Sequence, residues 1–166
     1  MMKKKCVLFF ILTMFCLSCM TACGSEDKFN FKLNFGLGGG IGCIDTYNNT
    51  FTKDMIPNGT EIIDFNIPDD KMKEFYEAFL EYEIYDLPED ISIEPSVSPA
   101  YTYILTYTYN KQTKTIIYNN VYFGVGMNTG SSEKHDQFVK FANKIRDYVY
   151  NTEEYLNMPP AEGGYD

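Results

Sequence analysis

Apolar and polar residues alternate in two stretches of the chain, which is the pattern of strands with one buried face. These stretches run from Phe29 to Phe35 and from Tyr101 to Tyr109, and the second pairs naturally with Lys114 to Val121. Residues 43–67 also have strand character, and Asn58-Gly59 within them is a strong hairpin signal. The sequence therefore predicts an antiparallel sheet of about five to six strands.

The Asn58-Gly59 hairpin predicts a strand register. A two-residue turn at these positions places Lys53 opposite Asp64, and opposite charges paired across strands support that arrangement. The same register places Asp54 on the apolar side of the hairpin, where a carboxylate fits poorly. Either the register differs, or Asp54 is a buried carboxylate with a partner.

The second hairpin predicts one apolar and one threonine-rich face. A four-residue loop over residues 110–113 places Tyr107 opposite Ile116 and Leu105 opposite Tyr118. One face then consists of Tyr103, Leu105, Tyr107, Ile116 and Tyr118, and the reverse face of Ile104, Thr106, Thr108, Thr115 and Ile117. We expect the first face to be buried and the second to be partly exposed to water.

Apolar residues at three- and four-residue spacing predict two amphipathic helices. The first begins at Pro68 and ends near residues 84–86, because Pro88 disfavours helical geometry in the residue before it. The second begins at Ser131 or Ser132, and its apolar side consists of Phe138, Phe141, Ala142, Ile145, Tyr148 and Val149. Two helices on one face of an antiparallel sheet bury every apolar stripe, so the predicted fold class is α+β.

Four segments are rich in residues that break regular structure. Residues 36–42 contain five glycines, residues 87–100 contain three prolines and residues 122–130 contain three glycines. We predict loops for the second and third segments, and for residues 36–42 either a loop or an irregular, tightly approached backbone. Residues 157–166 contain two prolines and two glycines, which predicts a mobile tail.

The N-terminal residues have the features of an export signal. Three lysines at positions 3–5 precede an apolar stretch over residues 7–17. That stretch is shorter than the roughly 20 residues that a helix needs to cross a membrane. A basic start followed by a short apolar stretch is typical of a cleaved signal peptide.

The end of this signal resembles the lipobox of bacterial lipoprotein precursors. The resemblance rests on Met20-Thr21-Ala22-Cys23 and covers about residues 1–27. It implies cleavage before Cys23 and a diacylglyceryl group on the Cys23 thiol. Because one acyl chain holds a protein only reversibly, stable anchoring requires two or more chains. The expected location is extracytoplasmic and membrane-anchored, in the cell envelope or at the cell surface.

Processing divides the chain into a signal (1–22), a short linker (23–28), one domain (29–156) and the tail (157–166). Removal of 22 of the 166 residues leaves 144, and the loss of three lysines changes the formal charge from −9 to −12. This acidic charge argues against nucleic acid as a partner, since phosphate backbones are bound by Lys and Arg. Cys43 is the one cysteine left without an acyl group, so no internal disulfide can form, and we expect it to be a small buried hydrophobe.

The residues typical of enzymes form only weak patterns. The single histidine, His135, excludes a multi-histidine metal site, and the glycine run lacks the Lys-Ser/Thr of a phosphate-binding loop. Some pair of carboxylates is always available in a chain with 23 acids, and candidates here are Asp54, Asp64, Asp86, Glu89, Asp90 and Glu94. The sequence therefore predicts no catalytic residue, no metal and no cofactor.

Tyrosines supply the candidate binding residues. Tyr101, Tyr103, Tyr107 and Tyr109 share one strand face and could stack on sugars or on a protein partner. The alternative is that they pack under the helices. The leading interpretation is a non-enzymatic, lipid-anchored module that binds a protein or a glycan. Two others stay open: an enzyme that acts on cell-envelope or glycan material through carboxylates, and an inhibitor or immunity-type protein for a basic partner.

Replacement of Cys23 by Ala tests the predicted anchor. We expect Cys23→Ala to accumulate as an uncleaved or unanchored product, because the thiol that would receive the lipid is gone. Membrane fractionation with intact-mass analysis measures this. Cys19→Ala is the matched control, since Cys19 lies inside the predicted signal. Membrane association of Cys23→Ala equal to that of the wild type would contradict the lipobox assignment.

Overall fold

A computed structural model of the protein describes residues 29–39, 41–92, 100–120 and 132–163. The predicted signal and linker lie outside these residues, and the description begins at Phe29, the first residue of the predicted domain. The predicted loop over residues 122–130 and Glu94 also lie outside them.

The described residues form one six-stranded antiparallel sheet, which confirms the predicted α+β fold class. The strands are β1 (Asn30–Leu37), β2 (Gly42–Asp45), β3 (Thr50–Asp54), β4 (Thr60–Asp64), β5 (Tyr101–Tyr109) and β6 (Gln112–Asn120). Their spatial order is β4-β3-β2-β1-β5-β6, so that β1 lies near the centre with a meander on one side and a hairpin on the other.

Two long helices and one short helix complete the described fold. These are α1 (Asp69–Glu81), α2 (Glu133–Tyr150) and α3 (Glu153–Leu156). Pro68 precedes α1 as predicted, and Ser132 caps α2, where its side chain and that of His135 form a capping box. A short 3-10 turn at residues 84–86 follows α1, so the helix itself ends earlier than the predicted limit.

The core lies between one face of the sheet and helices α1 and α2. In β1 the residues Phe31, Leu33 and Phe35 are buried, whereas Lys32 and Asn34 between them are only partly buried on the other face. The ring of Phe31 contacts Phe75 of α1, with centroids 6.1 Å apart. The helices therefore cover the face that the alternating pattern marks as apolar.

The predicted register of the β3–β4 hairpin is wrong. Lys53 lies opposite Glu61 rather than Asp64, because a 3-10 turn over Ile56–Asn58 replaces the two-residue turn. The predicted turn would have used Pro57 in a hydrogen-bonded pair, and proline has no N–H to donate. With the register shifted, Asp54 is partly exposed and its Oδ1 accepts a hydrogen bond from the Ile56 amide at 2.9 Å.

The predicted register of the β5–β6 hairpin is also wrong, but the predicted assignment of its side chains to the two faces is right. Asn110 and Lys111 form a two-residue turn with φ values of 49° and 63°, so Tyr107 lies opposite Lys114 instead of Ile116. A shift of two residues keeps every side chain on its predicted face, since side chains alternate with period two. Tyr103, Leu105, Tyr107, Ile116 and Tyr118 are all buried.

Substitution of Phe141 by Asp tests the assigned face of α2. Phe141 is fully buried and contacts Phe79 of α1, with ring centroids 6.1 Å apart. An unpaired carboxylate there should lower the free energy of unfolding by more than about 3 kcal/mol. Thermal denaturation followed by circular dichroism measures the loss. Lys144→Asp, at an exposed position of the same helix, is the control. An unchanged melting curve for Phe141→Asp would refute the packing.

Alkaline pH should destabilise the fold through Tyr107. Burial raises the pKa of Tyr107 to about 12, above the ordinary tyrosine value near 10. The native state therefore favours the neutral phenol, and this contribution to stability is complete below about pH 10 and lost as the pH rises toward 12. Chemical denaturation across this range should show that the free energy of unfolding depends less on pH in Tyr107→Phe than in wild type. Tyr47→Phe, at an exposed position, is the control. An equal dependence of the free energy of unfolding on pH in Tyr107→Phe and in wild type would contradict this assignment.

Candidate functional site

The sheet opens at the end where β2 begins. β2 pairs with β1 only as far as the Phe35–Gly42 pair, although β1 itself continues to Leu37. On the other side of β2, β3 continues beyond its last pair with β2 and ends at Asp54. Two strands therefore extend past the shorter strand between them and leave a notch in the sheet.

A cleft of about 280 Å³ occupies this notch and the space beside it. Residues from β1, β3 and β5, from the end of α2, from α3 and from the C-terminal segment line it. We call it the tyrosine cleft and define it by Phe35, Lys53, Asp54, Tyr101, Tyr150 and Tyr155.

Two glycines of the glycine run shape the cleft, and both fit the second predicted alternative for residues 36–42, a tightly approached backbone, rather than a loop. Gly36 belongs to β1 and has a φ of 136°, which L side chains rarely adopt. Gly42 begins β2, and a Cβ atom there would lie 2.8 Å from the ring of Phe35. Gly38-Gly39 form a turn, which fits the loop alternative. A side chain at position 42 would displace the Phe35 ring that lines the cleft.

A stacked pair of tyrosines forms the aromatic wall of the cleft. The ring centroids of Tyr150 and Tyr155 lie 4.6 Å apart, with 28° between the ring planes. The ammonium group of Lys53 lies 4.8 Å from the centroid of Tyr155, and the guanidinium carbon of Arg146 lies 5.8 Å from that of Tyr150. Both distances are within the range of cation–π attraction. The two cations therefore hold the stacked rings in place from either side.

A polar network behind the wall orients Arg146. Its Nη1 donates a hydrogen bond to the Tyr103 hydroxyl at 2.9 Å, and that hydroxyl donates to Asn143 Oδ1 at 2.8 Å. Burial raises the pKa of Tyr103 well above its usual range, which keeps the hydroxyl protonated and able to donate. Arg146 Nη2 also donates to Asp147 at 3.1 Å, while the Arg146 Nε is buried without a hydrogen-bond partner among the described residues. This network fixes the guanidinium group that supports Tyr150.

The four predicted binding tyrosines lie at different depths along β5. Tyr101 lines the cleft, and Tyr103 lies behind it. Tyr107 is buried under α1, where its ring contacts Phe79 with centroids 4.8 Å apart. Tyr109 lies at the far end of the strand and contacts the same phenylalanine. The structure thus brings one of the four to the cleft.

The cleft also contains residues that the sequence analysis did not select for binding. Tyr150 is the last residue of α2, and Tyr155 belongs to α3. The ammonium group of Lys53 lies over the ring of Tyr155. Burial raises the pKa of Tyr150 well above its usual range, because the charged phenolate is disfavoured there. Tyr150 and Tyr155 lie close together in the sequence, at the end of α2 and just after it. This clustering of tyrosines is a sequence signal that could have drawn attention to the region.

The candidate carboxylates do not converge in the described residues. Asp54 lines the cleft, and the others that the structure describes are exposed: Asp64, Asp86, Glu89 and Asp90. The part of the chain that the structure describes contains no group of three or more His, Cys, Asp or Glu side chains that could hold a metal ion.

Cys43 and His135 lie on opposite sides of the sheet. Cys43 is 7% exposed on the face away from the helices, as expected for a small buried residue, and burial raises the pKa of its thiol to about 11. His135 belongs to the helix layer, where its Nδ1 accepts a hydrogen bond from the Ser132 amide at 3.1 Å. The two side chains therefore cannot act as a nucleophile and base pair.

The buried Asp45 has a structural role. Its Oδ1 accepts hydrogen bonds from the amides of Tyr47 and Asn48 at 3.0 and 3.2 Å, and its Oδ2 forms an ion pair with Lys32 at 3.5 Å. Burial alone would raise the pKa of Asp45, but the hydrogen bonds lower it below the ordinary value. This carboxylate stabilises the turn between β2 and β3.

No helix within the described ranges combines the length and apolar character needed to cross a membrane. The sequence matches no known family model, and no curated protein matches it at a significant level. The tyrosine cleft is therefore interpreted from its own geometry.

Proposed function

We propose that this protein is a lipid-anchored, extracytoplasmic binding module whose ligand site is the tyrosine cleft. The observation that carries the proposal is the Tyr150–Tyr155 stack, held between Lys53 and Arg146. A wall fixed before the ligand arrives loses little conformational entropy on binding. The proposed location rests on the signal and lipobox pattern that ends at Cys23.

The groups around the cleft suit recognition. Tyrosine offers a large apolar ring together with a hydroxyl that can donate or accept a hydrogen bond. Lys53 and Asp54 add one positive and one negative group at its border. A volume of about 280 Å³ is just below the range of drug-sized pockets, so the cleft fits one ring or a few residues of a larger ligand.

The same lining favours binding over a carboxylate-based enzyme. Glycoside hydrolysis by the usual mechanisms uses two carboxyl groups on either side of the scissile bond. The described lining supplies one carboxylate, Asp54. This comparison supports the binding interpretation as the better match to the site.

The anchor and the cleft lie at opposite ends of β1. The strand starts at Asn30, seven residues after Cys23, and a chain of this length can span about 25 Å at most. The last residues of β1, from Phe35 to Leu37, line the cleft about 20 Å further along. A domain tethered through the start of β1 would thus carry its cleft at the end remote from the anchor, where a ligand can reach it.

Substitution of Tyr101 by Ser tests the site. We expect this change to weaken ligand binding by about tenfold or more, because it removes an aromatic contact from the cleft. The chain has no tryptophan, so its intrinsic fluorescence comes from tyrosine and can be titrated with chito-oligosaccharides and with short unstructured peptides.

Tyr47→Ser is the matched control for this experiment. Tyr47 is 42% exposed and follows β2, at the end of the sheet away from the cleft. Melting temperatures of both variants separate a binding defect from a folding defect. Equal losses of affinity in the two variants, or no loss in Tyr101→Ser, would count against the cleft as the ligand site.

A further inference from the structure

The C-terminal segment of the chain lies against the tyrosine cleft. Lys53 Nζ donates a hydrogen bond to the Pro159 carbonyl at 2.7 Å, and Ala161 lines the cleft. Met158 just before them is 8% exposed and packs against the core. Asn58 Nδ2 lies 3.5 Å from Glu162 Oε2 at the far side of the segment. Residues 159–162 therefore occupy the border of the proposed binding site.

The chemistry of this segment matches the chemistry of the cleft. Two consecutive prolines have fixed φ angles and favour an extended conformation whose carbonyl groups have no partners within the segment. Aromatic-lined grooves commonly recognise such segments, since little conformational entropy remains to be lost. Here Lys53 donates to one of the proline carbonyls beside the tyrosine wall.

We propose that the tyrosine cleft binds an extended, proline-containing segment of a partner protein, and that residues 159–162 compete with it as an intramolecular ligand. This inference rests on the proposed function of the cleft and names the class of its ligand.

The arrangement of the rings favours a peptide over a sugar. A sugar would stack on the face of an aromatic ring, and Tyr155 has Tyr150 on one side and Lys53 within cation–π distance. In the same way, Tyr150 stacks on Tyr155 and has Arg146 within cation–π distance. These neighbours leave less free ring face for a sugar, whereas tyrosine hydroxyls can donate hydrogen bonds to peptide carbonyl groups.

A tethered competitor should mask binding in the wild-type protein. A short flexible tether gives an effective concentration in the millimolar range, so a free peptide has to compete with a large local excess of the segment. Loosening the segment without shortening the chain should reveal the affinity of the cleft for a peptide added from outside.

The test uses the full mature chain with Pro159→Gly and Pro160→Gly together. Both changes leave the tyrosine wall intact and remove the conformational restriction of the segment. The probe is a fluorescently labelled peptide with the sequence of residues 159–166, titrated by fluorescence anisotropy. We expect the double variant to bind it at least tenfold more tightly than wild type does. Pro88→Gly, at an exposed proline outside the cleft, should match the wild type.

Three further comparisons make the result specific. Tyr101→Ser in the double-variant background should abolish peptide binding, and a peptide with both prolines replaced by glycine should bind at least tenfold more weakly. Equal affinities of wild type and double variant would overturn the inference. Binding of chitotetraose that depends on Tyr101, without binding of the peptide, would overturn the inference and leave the proposed function intact. Absence of any Tyr101-dependent binding would overturn both.

Discussion

Burial of a single sheet face under two helices is the constraint on which this structure depends. Phe79 of α1 lies at its centre and contacts the rings of Phe29, just before β1, Tyr107 of β5 and Phe141 of α2. The strands therefore direct most of their large apolar residues to this side, because no helix in the described structure covers the opposite side, where Ile62 and Ile117 are exposed. The polar and threonine-rich residues of that opposite side follow from the same constraint.

The cleft forms where this cover ends. Helix α2 ends at Tyr150 while β1 and β3 extend past the start of β2, so aromatic side chains at this end meet an open notch instead of a filled core. Glycines at positions 36 and 42 fit a backbone geometry and a close ring contact that larger residues would disturb. Function is expected at a site of this kind, because aromatic side chains there border an open cleft instead of packing in the core.

The two hairpin errors show how turn chemistry limits prediction of register. Asn58-Gly59 has the composition of a two-residue turn, but the neighbouring Pro57 cannot supply the hydrogen bond that such a turn requires. In the other hairpin Asn110-Lys111 adopts positive φ angles although lysine is not a preferred residue there. The face assignments of β5 and β6 were correct because a shift of two residues preserves the alternation.

The sequence by itself determined the two long helices, strands β1, β5 and β6, and the side of each that is buried, since these follow from periodicities of two and 3.6 residues within short segments. It also indicated Tyr101 as a binding candidate, through the aromatic pattern of its strand. Only the tertiary structure decided that Tyr101 lines a cleft with Tyr150, Tyr155 and Lys53. These residues come from β5, α2, α3 and β3, and no local pattern links positions so far apart in the chain. Their meeting depends on where the sheet ends, where α2 stops and how the C-terminal segment packs, which are properties of the whole fold.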